Sequence, residues 1–275
     1  MGQKIKNIIK DLVPPVLLRA FRGREGNRWC GHYTSWEKAV KASSGYDREF
    51  ILEKVKEAML KVKSGEAVYE RDSVLFDDIQ YSWPLLAALM WIAAQACGKL
   101  NITDFGGSLG SSYFQNRKFL DCLPGIRWNI VEQEHFVRAG KGHFENEGLR
   151  FYASIDDCLK ETSPNTVLCS GVAQYLEKPY DLFEKIRAIG FEFILFDRTG
   201  LIDGENDRLT VQKVPSKIYA ATYPCWFFSR PVFMSFWKDD YELVSEFDAL
   251  AGVMNLDGNE RAYDKGFIYR RRSHS

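Results

Sequence analysis

A glycine-rich turn that directly follows a short apolar strand constrains the fold of this chain more than any other feature. From residue 101 the sequence reads NITDFGGSLGSS. Glycine lets the backbone turn sharply and approach a ligand closely, and the free N–H groups at the start of a helix attract an anionic group. A strand, an acid and a glycine turn that opens a helix are typical of the first unit of a doubly wound α/β sheet. We predict a cofactor cradle formed by Asp104, Gly106, Gly107, Ser108 and Gly110.

The spacing of the glycines separates two cofactor classes. The dinucleotide pattern G-x-G-x-x-G requires glycine where this chain has Ser108 and Ser111. A second pattern, with an acid two residues before the first of several alternating glycines, matches Asp104, Gly106 and Gly110. The carboxylate of a methionine group is smaller than a pyrophosphate, so Ser108 is tolerated in the middle position. The turn therefore favours S-adenosylmethionine (SAM), and an ordinary strand-to-helix turn without a ligand is the alternative.

Composition excludes several classes of function. Lys plus Arg and Asp plus Glu each number 37 among 275 residues, which gives no support for nucleic acid as a partner. The six cysteines form no C-x-x-C pair and the four histidines are dispersed, so no metal site is predicted. In the absence of a recognisable signal peptide, we expect the cysteines to be buried, reduced thiols of a cytoplasmic protein.

The first residues differ from the rest of the chain. Segment 1–26 is basic and amphipathic, with apolar residues at positions 5, 8, 9 and 12 on one helical face and a break at Pro14 and Pro15. Such a segment can lie on an anionic membrane surface, so residues 1–24 are a candidate for peripheral contact with the inner face of the cell membrane. The alternatives are a helix packed on the protein's own body and a frayed terminus.

The pattern of apolar residues divides the remainder into two parts. Residues 27–99 predict a helical cap, with helices at 35–42, 46–63 and 83–98. From residue 100, strands alternate with helices, which is typical of a parallel sheet. Residues 200–240 predict an irregular, aromatic-rich substrate insert, and an antiparallel pair closes the sheet. The predicted strands are 101–105, 128–132, 149–152, 166–169, 191–196, 241–247 and 266–270, with a helix at 179–189.

Further cofactor contacts are predicted at the ends of strands. Glu132 ends the second strand, 28 positions after Asp104, where an acid can accept hydrogen bonds from ribose hydroxyls. Ser154 and Ile155 follow the third strand and are candidates for contact with adenine. Ser170 ends the fourth strand and would line the methyl-bearing side of the cofactor; a simple turn is the alternative there.

The fifth strand ends at an acid followed by a base. Asp197 is the candidate that orients or deprotonates an acceptor hydroxyl, and Arg198 is the candidate that holds a phosphate or carboxylate of the substrate. A structural ion pair is the alternative for both residues. His135, which closely follows the second strand, is a rival base.

Two other regions offer substrate contacts. Tyr223 and Trp226 belong to an aromatic cluster in the insert, and aromatic faces suit sugar rings or apolar tails, although such a cluster can equally form the insert's own core. Arg71 lies in the polar run 69–73, which is either a structural ion pair or part of a lid over the site.

Several of these segments together carry a resemblance to a known family. Over most of residues 29–270 the chain resembles the SAM-dependent methyltransferases encoded in bacterial surface-polysaccharide and O-antigen clusters. The resemblance implies a class I Rossmann-like methyltransferase domain at 100–275, SAM as cofactor, and methyl transfer to a hydroxyl of a sugar or glycan intermediate. The alternatives are a non-catalytic SAM-binding or scaffold protein of a glycan assembly complex, and an NAD-dependent nucleotide-sugar enzyme. The motifs are WCGHYTSW at 29–36, GEAVYERDSVLF at 65–76, DFGGSLGSSY at 104–113, WNIVEQ at 128–133, SGVAQYL at 170–176, FDRT at 196–199, VQKVP at 211–215, YPCWFFS at 223–229 and GFIYRR at 266–271.

Overall fold

A computed structural model describes residues 28–44, 48–71, 74–76, 78–215 and 221–273 of the chain. The predicted basic segment 1–26 lies outside the described residues, and so do its predicted membrane contact and the side chain of Arg71. The described strands are β1 (Arg28–Tyr33), β2 (Tyr69–Arg71), β3 (Val74–Phe76), β4 (Lys99–Phe105), β5 (Gly125–Val131), β6 (Leu149–Tyr152), β7 (Thr166–Ser170), β8 (Phe193–Ile202), β9 (Arg208–Lys213), β10 (Thr222–Ser229), β11 (Tyr241–Asn255) and β12 (Arg261–Arg271). The described helices are α1 (Trp36–Lys41), α2 (Arg48–Ser64), α3 (Trp83–Gln95), α4 (Ser111–Leu120), α5 (Glu134–His143), α6 (Ile155–Glu161), α7 (Pro179–Ile189) and α8 (Arg230–Trp237).

The centre of the molecule is a twisted sheet of mostly parallel strands. Strands β6, β5, β4, β7 and β8 lie side by side in that order and all run parallel. Strand β12 is antiparallel to β8, and β11 is antiparallel to β12 at the edge. The strand order reverses beside β4, which places a crevice at the carboxyl end of that strand. The predicted α/β fold, a Rossmann-like doubly wound sheet with a closing antiparallel pair, is confirmed.

Helices cover both faces of this sheet and bury separate cores. On one face α3, α4 and α5 pack against β4 and β5 around Ile102, Trp128 and Phe144. On the other face α6, α7 and α8 pack around Phe183 and Phe196. Because both faces are covered, the parallel strands read as nearly continuous apolar runs, which is why most of them were recognisable in the sequence.

The region predicted as a helical cap also contains strands. Its helices lie near the predicted positions, as α1, α2 and α3, but 27–99 additionally forms β1 and the hairpin β2–β3. Strand β1 pairs antiparallel with β9, for example Trp29 with Gln212. The partner of β1 lies about 180 residues later in the chain, so no local pattern signals this pairing.

The predicted irregular insert is likewise ordered. Strand β8 continues to Ile202, beyond the predicted end at 196, and β9, β10 and α8 follow it. Strands β1, β9 and β10 form an antiparallel layer that joins the main sheet where Phe228 pairs with Leu201. Pro224 lies in β10 opposite Val211. A proline has no N–H to donate to a neighbouring strand, so its presence argued against a strand in the sequence. Strand β10 pairs with β8 only at residues 228–229, so at Pro224 no described strand pairs with the edge of β10 that faces away from β9.

Two smaller observations complete the fold. Cys158, Cys169 and Cys225 are buried thiols as expected, but Cys97 and Cys122 are exposed. Both follow helix ends near tight turns, where the surrounding backbone is at the surface. None of the helices in the described residues combines the length and apolar character that a membrane crossing needs.

Candidate active site

The glycine turn at the end of β4 packs closely on the side chains of Val172 and Asp104. Gly106, Ser108 and Gly110 all have positive φ, of 72°, 55° and 100°. A side chain at Gly106 would overlap Val172, and a Cβ at Gly107 would lie 2.5 Å from Asp104 Oδ2. Two glycines are therefore required by geometry, and Ser108 occupies a conformation that costs a non-glycine residue roughly 1–2 kcal/mol. Strain of this kind is often found at ligand sites.

Asp104 lies beneath the turn, with only 1% of its surface exposed. Its Oδ2 accepts a hydrogen bond from Trp128 Nε1 at 2.8 Å, and its Oδ1 has no hydrogen-bond partner among the described residues. Burial raises the pKa of Asp104 to about 7, with a further raising effect from Glu132 and lowering effects from Trp128 and Arg198. Asp104 is thus a buried acid that supports the turn and has one unsatisfied oxygen.

Glu132 closes on the turn from the neighbouring strand. Its Oε2 accepts a hydrogen bond from the backbone N–H of Gln133 at 2.8 Å, and the carboxylate also accepts from the backbone N–H of Ser108. Burial raises the pKa of Glu132 and these two bonds lower it. The structure therefore brings Glu132 to the cradle as predicted, and its contact with a ribose stays a prediction.

A third carboxylate at the turn, Glu70, was not predicted. Glu70 comes from strand β2 in the N-terminal region, is 2% exposed, and accepts a hydrogen bond from Ser111 Oγ at 2.6 Å. Ser111 is the first residue of α4, directly after Gly110. The only sequence signal for Glu70 is the polar run 69–73, in which the predicted contact is Arg71. The turn is consequently flanked by three acids, one from each of β2, β4 and the end of β5.

Ser154 and Ile155 have clear structural roles. Ser154 caps α6, accepting from the backbone N–H of Asp157 at 3.1 Å and donating to Asp157 Oδ2 at 2.6 Å. Ile155 is part of the core under that helix. An adenine contact at either residue stays a prediction.

Across the crevice, the end of β7 and the middle of β8 form a polar cluster around Asp197. Asp197 is 4% exposed. Ser170 Oγ donates to Asp197 Oδ2 at 2.9 Å, and Ser82 Oγ lies 3.5 Å from Asp197 Oδ1. Arg198 Nε lies 3.3 Å from Ser170 Oγ and 3.9 Å from Asp197 Oδ2. The predicted pair is thus joined through Ser170, and Ser82 at the start of α3 adds a contact that the sequence did not reveal.

The backbone of Arg198 is unusual. Its φ is +54°, and Gln174 Nε2 donates to its carbonyl oxygen at 3.0 Å. The guanidinium lies over Gly171, where an added Cβ would be 3.1 Å from Arg198 Cζ. The side chain is therefore placed by a strained backbone and by the absence of a side chain at Gly171, an arrangement typical of a functional position.

A second buried acid, Asp264 of β12, lies near this cluster. It accepts from the backbone N–H of Ala251 at 2.8 Å. Burial raises the pKa of Asp264 to about 6, Asp197 raises it further and Arg198 lowers it. Nothing in the sequence connects Asp264 with Asp197, because the two residues come near each other only through the pairing of β12 with β8.

His135 is placed apart from Asp197. It lies in the first turn of α5, after β5, with its ring centroid 4.9 Å from that of Phe136. Strands β4 and β7 separate β5 from β8, and three strand spacings amount to about 14 Å. The two predicted bases therefore belong to strands that are not neighbours, and the catalytic role of either residue stays a prediction.

The aromatic candidates lie on β10, next to the 3₁₀ turn Ala173–Tyr175 that follows β7. The ring centroid of Tyr223 lies 5.4 Å from that of Tyr175, edge to face. Trp226 Nε1 donates to the carbonyl of Leu176 at 3.1 Å, and its ring stacks on Trp36 at 6.5 Å. Trp226 thus packs the β10 layer against its neighbours, and contact of Tyr223 and Trp226 with a substrate stays a prediction.

Comparison with known proteins gives structural similarity alone. No protein-family model matches the sequence, and neither does any curated protein. The N-terminal domain of EvdMO1, determined in the presence of SAH and D-fucose, is similar with a TM-score of 0.47 and 16% identity over 83% of this chain and 98% of that one. A SAM-dependent methyltransferase from Clostridium acetobutylicum ATCC 824 has a TM-score of 0.43 and 11% identity over 78% and 97%. CalS10, an amino pentose methyltransferase from Micromonospora echinaspora with SAM bound, has 0.39 and 11% over 70% and 92%. These values are too low to transfer a ligand or a residue's role to this chain.

Proposed function

We propose that this chain is a SAM-dependent methyltransferase that methylates a hydroxyl of a sugar or glycan intermediate in surface-polysaccharide biosynthesis. The acceptor is a small molecule or glycan, and the enzyme works in the cytoplasm, with residues 1–24 as a candidate contact to the membrane. The observation that carries the proposal is the pair of sites across one crevice: the acid-flanked glycine turn after β4, and the Asp197 cluster at the end of β7 and within β8.

The charges around the turn support SAM over a dinucleotide. Asp104, Glu132 and Glu70 place three acids at the turn, and a pyrophosphate would be repelled there. SAM carries a sulfonium and an ammonium, so an acidic surrounding stabilises it. The close packing at Gly106 and Gly107 and the unsatisfied Oδ1 of Asp104 are consistent with a ligand that lies directly against the turn.

The residues of the Asp197 cluster, on β7 and β8, suit the acceptor half of the reaction. When bound, SAM supplies an electrophilic methyl group. Holding an acceptor oxygen in line with that group provides several kcal/mol by orientation alone. Asp197 would receive the hydroxyl proton, and Ser170 would keep the carboxylate oriented. Arg198 would hold an anionic group of the acceptor, because a guanidinium pairs with phosphates and carboxylates through two parallel bonds.

The test begins with calorimetric titration of the purified protein with SAM, SAH and NAD. We expect micromolar binding of SAM and SAH and none of NAD. Transfer of a radiolabelled methyl group from SAM to nucleotide sugars then identifies the acceptor. A folded protein that binds neither SAM nor SAH would refute the proposal, and binding of NAD alone would favour the alternative, an NAD-dependent nucleotide-sugar enzyme.

One observation favours a second candidate, a SAM-binding protein without turnover. Asp197 is nearly fully buried and both of its oxygens have hydroxyl neighbours, Ser170 and Ser82. A carboxylate with this environment can simply hold the end of β7, the middle of β8 and the start of α3 together. SAM binding without methylation of any acceptor in a whole-cell extract of glycan precursors would support this scaffold role.

A further inference from the structure

The N-terminal hairpin β2–β3 reaches the glycine turn at the start of the sheet domain. Tyr69 and Phe76 pair across the hairpin, with ring centroids 5.7 Å apart. Glu70, between Tyr69 and Arg71, pairs with Leu75 on the other strand. Because successive side chains of a strand point to opposite faces, Glu70 and Leu75 share a face of the hairpin. The Glu70 carboxylate lies on that face at the end nearest the cradle, and its Oε2 accepts a hydrogen bond from the Ser111 hydroxyl.

A second set of contacts fixes the hairpin in this position. Gln115 of α4 is buried, and its Nε2 donates to the Tyr69 hydroxyl at 3.1 Å and to the carbonyl of Gln80 at 2.5 Å. One side chain of α4 thus holds both the hairpin and the segment that leads into α3. Glu70 is therefore placed at the first turn of α4 by a rigid, buried arrangement, as a ligand-binding group needs.

We propose that Glu70 binds the ammonium group of the methionine moiety of the cofactor, which makes the N-terminal hairpin part of the cofactor site. This inference rests on the proposed function. A carboxylate accepts up to about four hydrogen bonds, so the bond from Ser111 is compatible with an ammonium on the same group. The attraction between opposite charges is several times stronger at a buried site than in water, and only 2% of the Glu70 surface is exposed.

The competing role for Glu70 is a purely structural one. Gly110, the N-cap of α4, offers no side chain to cap the helix, and a carboxylate near a helix N-terminus is stabilising in its own right. The two roles differ in what they predict for ligands. Loss of a cap would weaken the binding of every ligand at the turn, whereas loss of an ammonium partner would weaken the binding only of ligands that carry the ammonium.

Two ligands and two variants separate these roles by calorimetry. SAH carries the amino acid portion, and 5′-methylthioadenosine keeps the adenosine and thioether but lacks it. For Glu70→Gln we expect the Kd of SAH to rise at least tenfold, with the Kd of 5′-methylthioadenosine and the ligand-free melting temperature unchanged. Glu66→Gln, at an exposed carboxylate four residues earlier, makes the same charge change and should alter neither ligand.

Four outcomes would overturn the inference. In Glu70→Gln, an unchanged Kd for SAH means that the ammonium is bound elsewhere. Equal weakening of both ligands, or a lower ligand-free melting temperature with weaker SAH binding, means that Glu70 is a structural cap. If the wild-type protein binds neither SAH nor 5′-methylthioadenosine, the proposed function fails and this inference fails with it; wild-type binding with an unaffected variant refutes the role of Glu70 alone.

Discussion

Ser170 and Asp197 are directly paired neighbours on β7 and β8, and the Ser170 hydroxyl donates to Asp197 Oδ2 at 2.9 Å. Both residues are the last of their strands to take part in this pairing. Beyond them the strands diverge, β7 into the turn that carries Gln174 and β8 onward to β12 and β10. The bond therefore stands where the sheet opens, which gives Asp197 a fixed orientation at the rim of the crevice.

Asp197→Asn tests whether this orientation serves catalysis. The amide keeps the shape and can still accept from Ser170, but it cannot receive a proton. We expect turnover to fall by about 10²- to 10⁴-fold, with SAM affinity within twofold of wild type. Methyl transfer at saturating SAM, with parallel titration, measures both. Asp239→Asn, at an exposed position, is the matched control, and unchanged turnover in Asp197→Asn would remove this residue from the reaction.

Gly107→Ala tests the packing of the turn. The added methyl group would lie 2.5 Å from Asp104 Oδ2, so either the acid or the turn must move. We expect SAM binding to be lost or weakened at least tenfold and the melting temperature to fall. Gly142→Ala is the control, since a Cβ there meets nothing within 4 Å and replacing glycine inside α5 should stabilise the helix by up to about 1 kcal/mol. Equal cofactor affinity in both variants would contradict the predicted cradle.

The elements that could be predicted are those whose signal is local. Strand β6 and helix α7 have the predicted bounds, and β4, β5 and β7 differ by one to three residues. These strands are apolar because both faces of the sheet are covered. Pro179 at the first turn and Gly190 in the left-handed conformation mark the ends of α7, which are strong local signals.

The features that were missed depend on contacts between distant parts of the chain. Strand β1 forms by pairing with the edge of β9. Glu70 becomes part of the cradle only because Gln115 holds the hairpin against α4. Asp264 reaches the Asp197 cluster through the register of β12 on β8. The sequence placed Asp104 and Glu132 near the ends of their strands correctly, whereas Asp197 lies within the longer strand β8. It could not show which other acids the tertiary structure adds to them.

The buried acid Asp104 makes a prediction about pH. Its pKa is raised to about 7 in the folded protein from an ordinary value of 3.8, so the folded state binds more protons than the unfolded state between these values. Stability then falls as pH rises from about 4 to about 7. We expect the ligand-free wild type to lose more melting temperature between pH 5 and pH 8 than Asp104→Asn, which cannot ionise. Parallel slopes for the two proteins would show that Asp104 ionises normally.

Trp128→Phe tests the hydrogen bond from the Trp128 indole to Asp104. The indole donates the one hydrogen bond that Asp104 receives among the described residues, and phenylalanine keeps an aromatic ring but no donor. Leaving a buried acceptor unsatisfied costs about 1–3 kcal/mol, in addition to the loss of packing volume. We expect the free energy of unfolding in urea to fall by at least this amount, and the pKa of Asp104 to rise further because a bond that lowers it is gone.

Trp83→Phe, at a side chain that is 59% exposed, is the control and should change stability by less than about 0.5 kcal/mol. Equal losses in the two variants would mean that the indole bond to Asp104 contributes nothing to the fold.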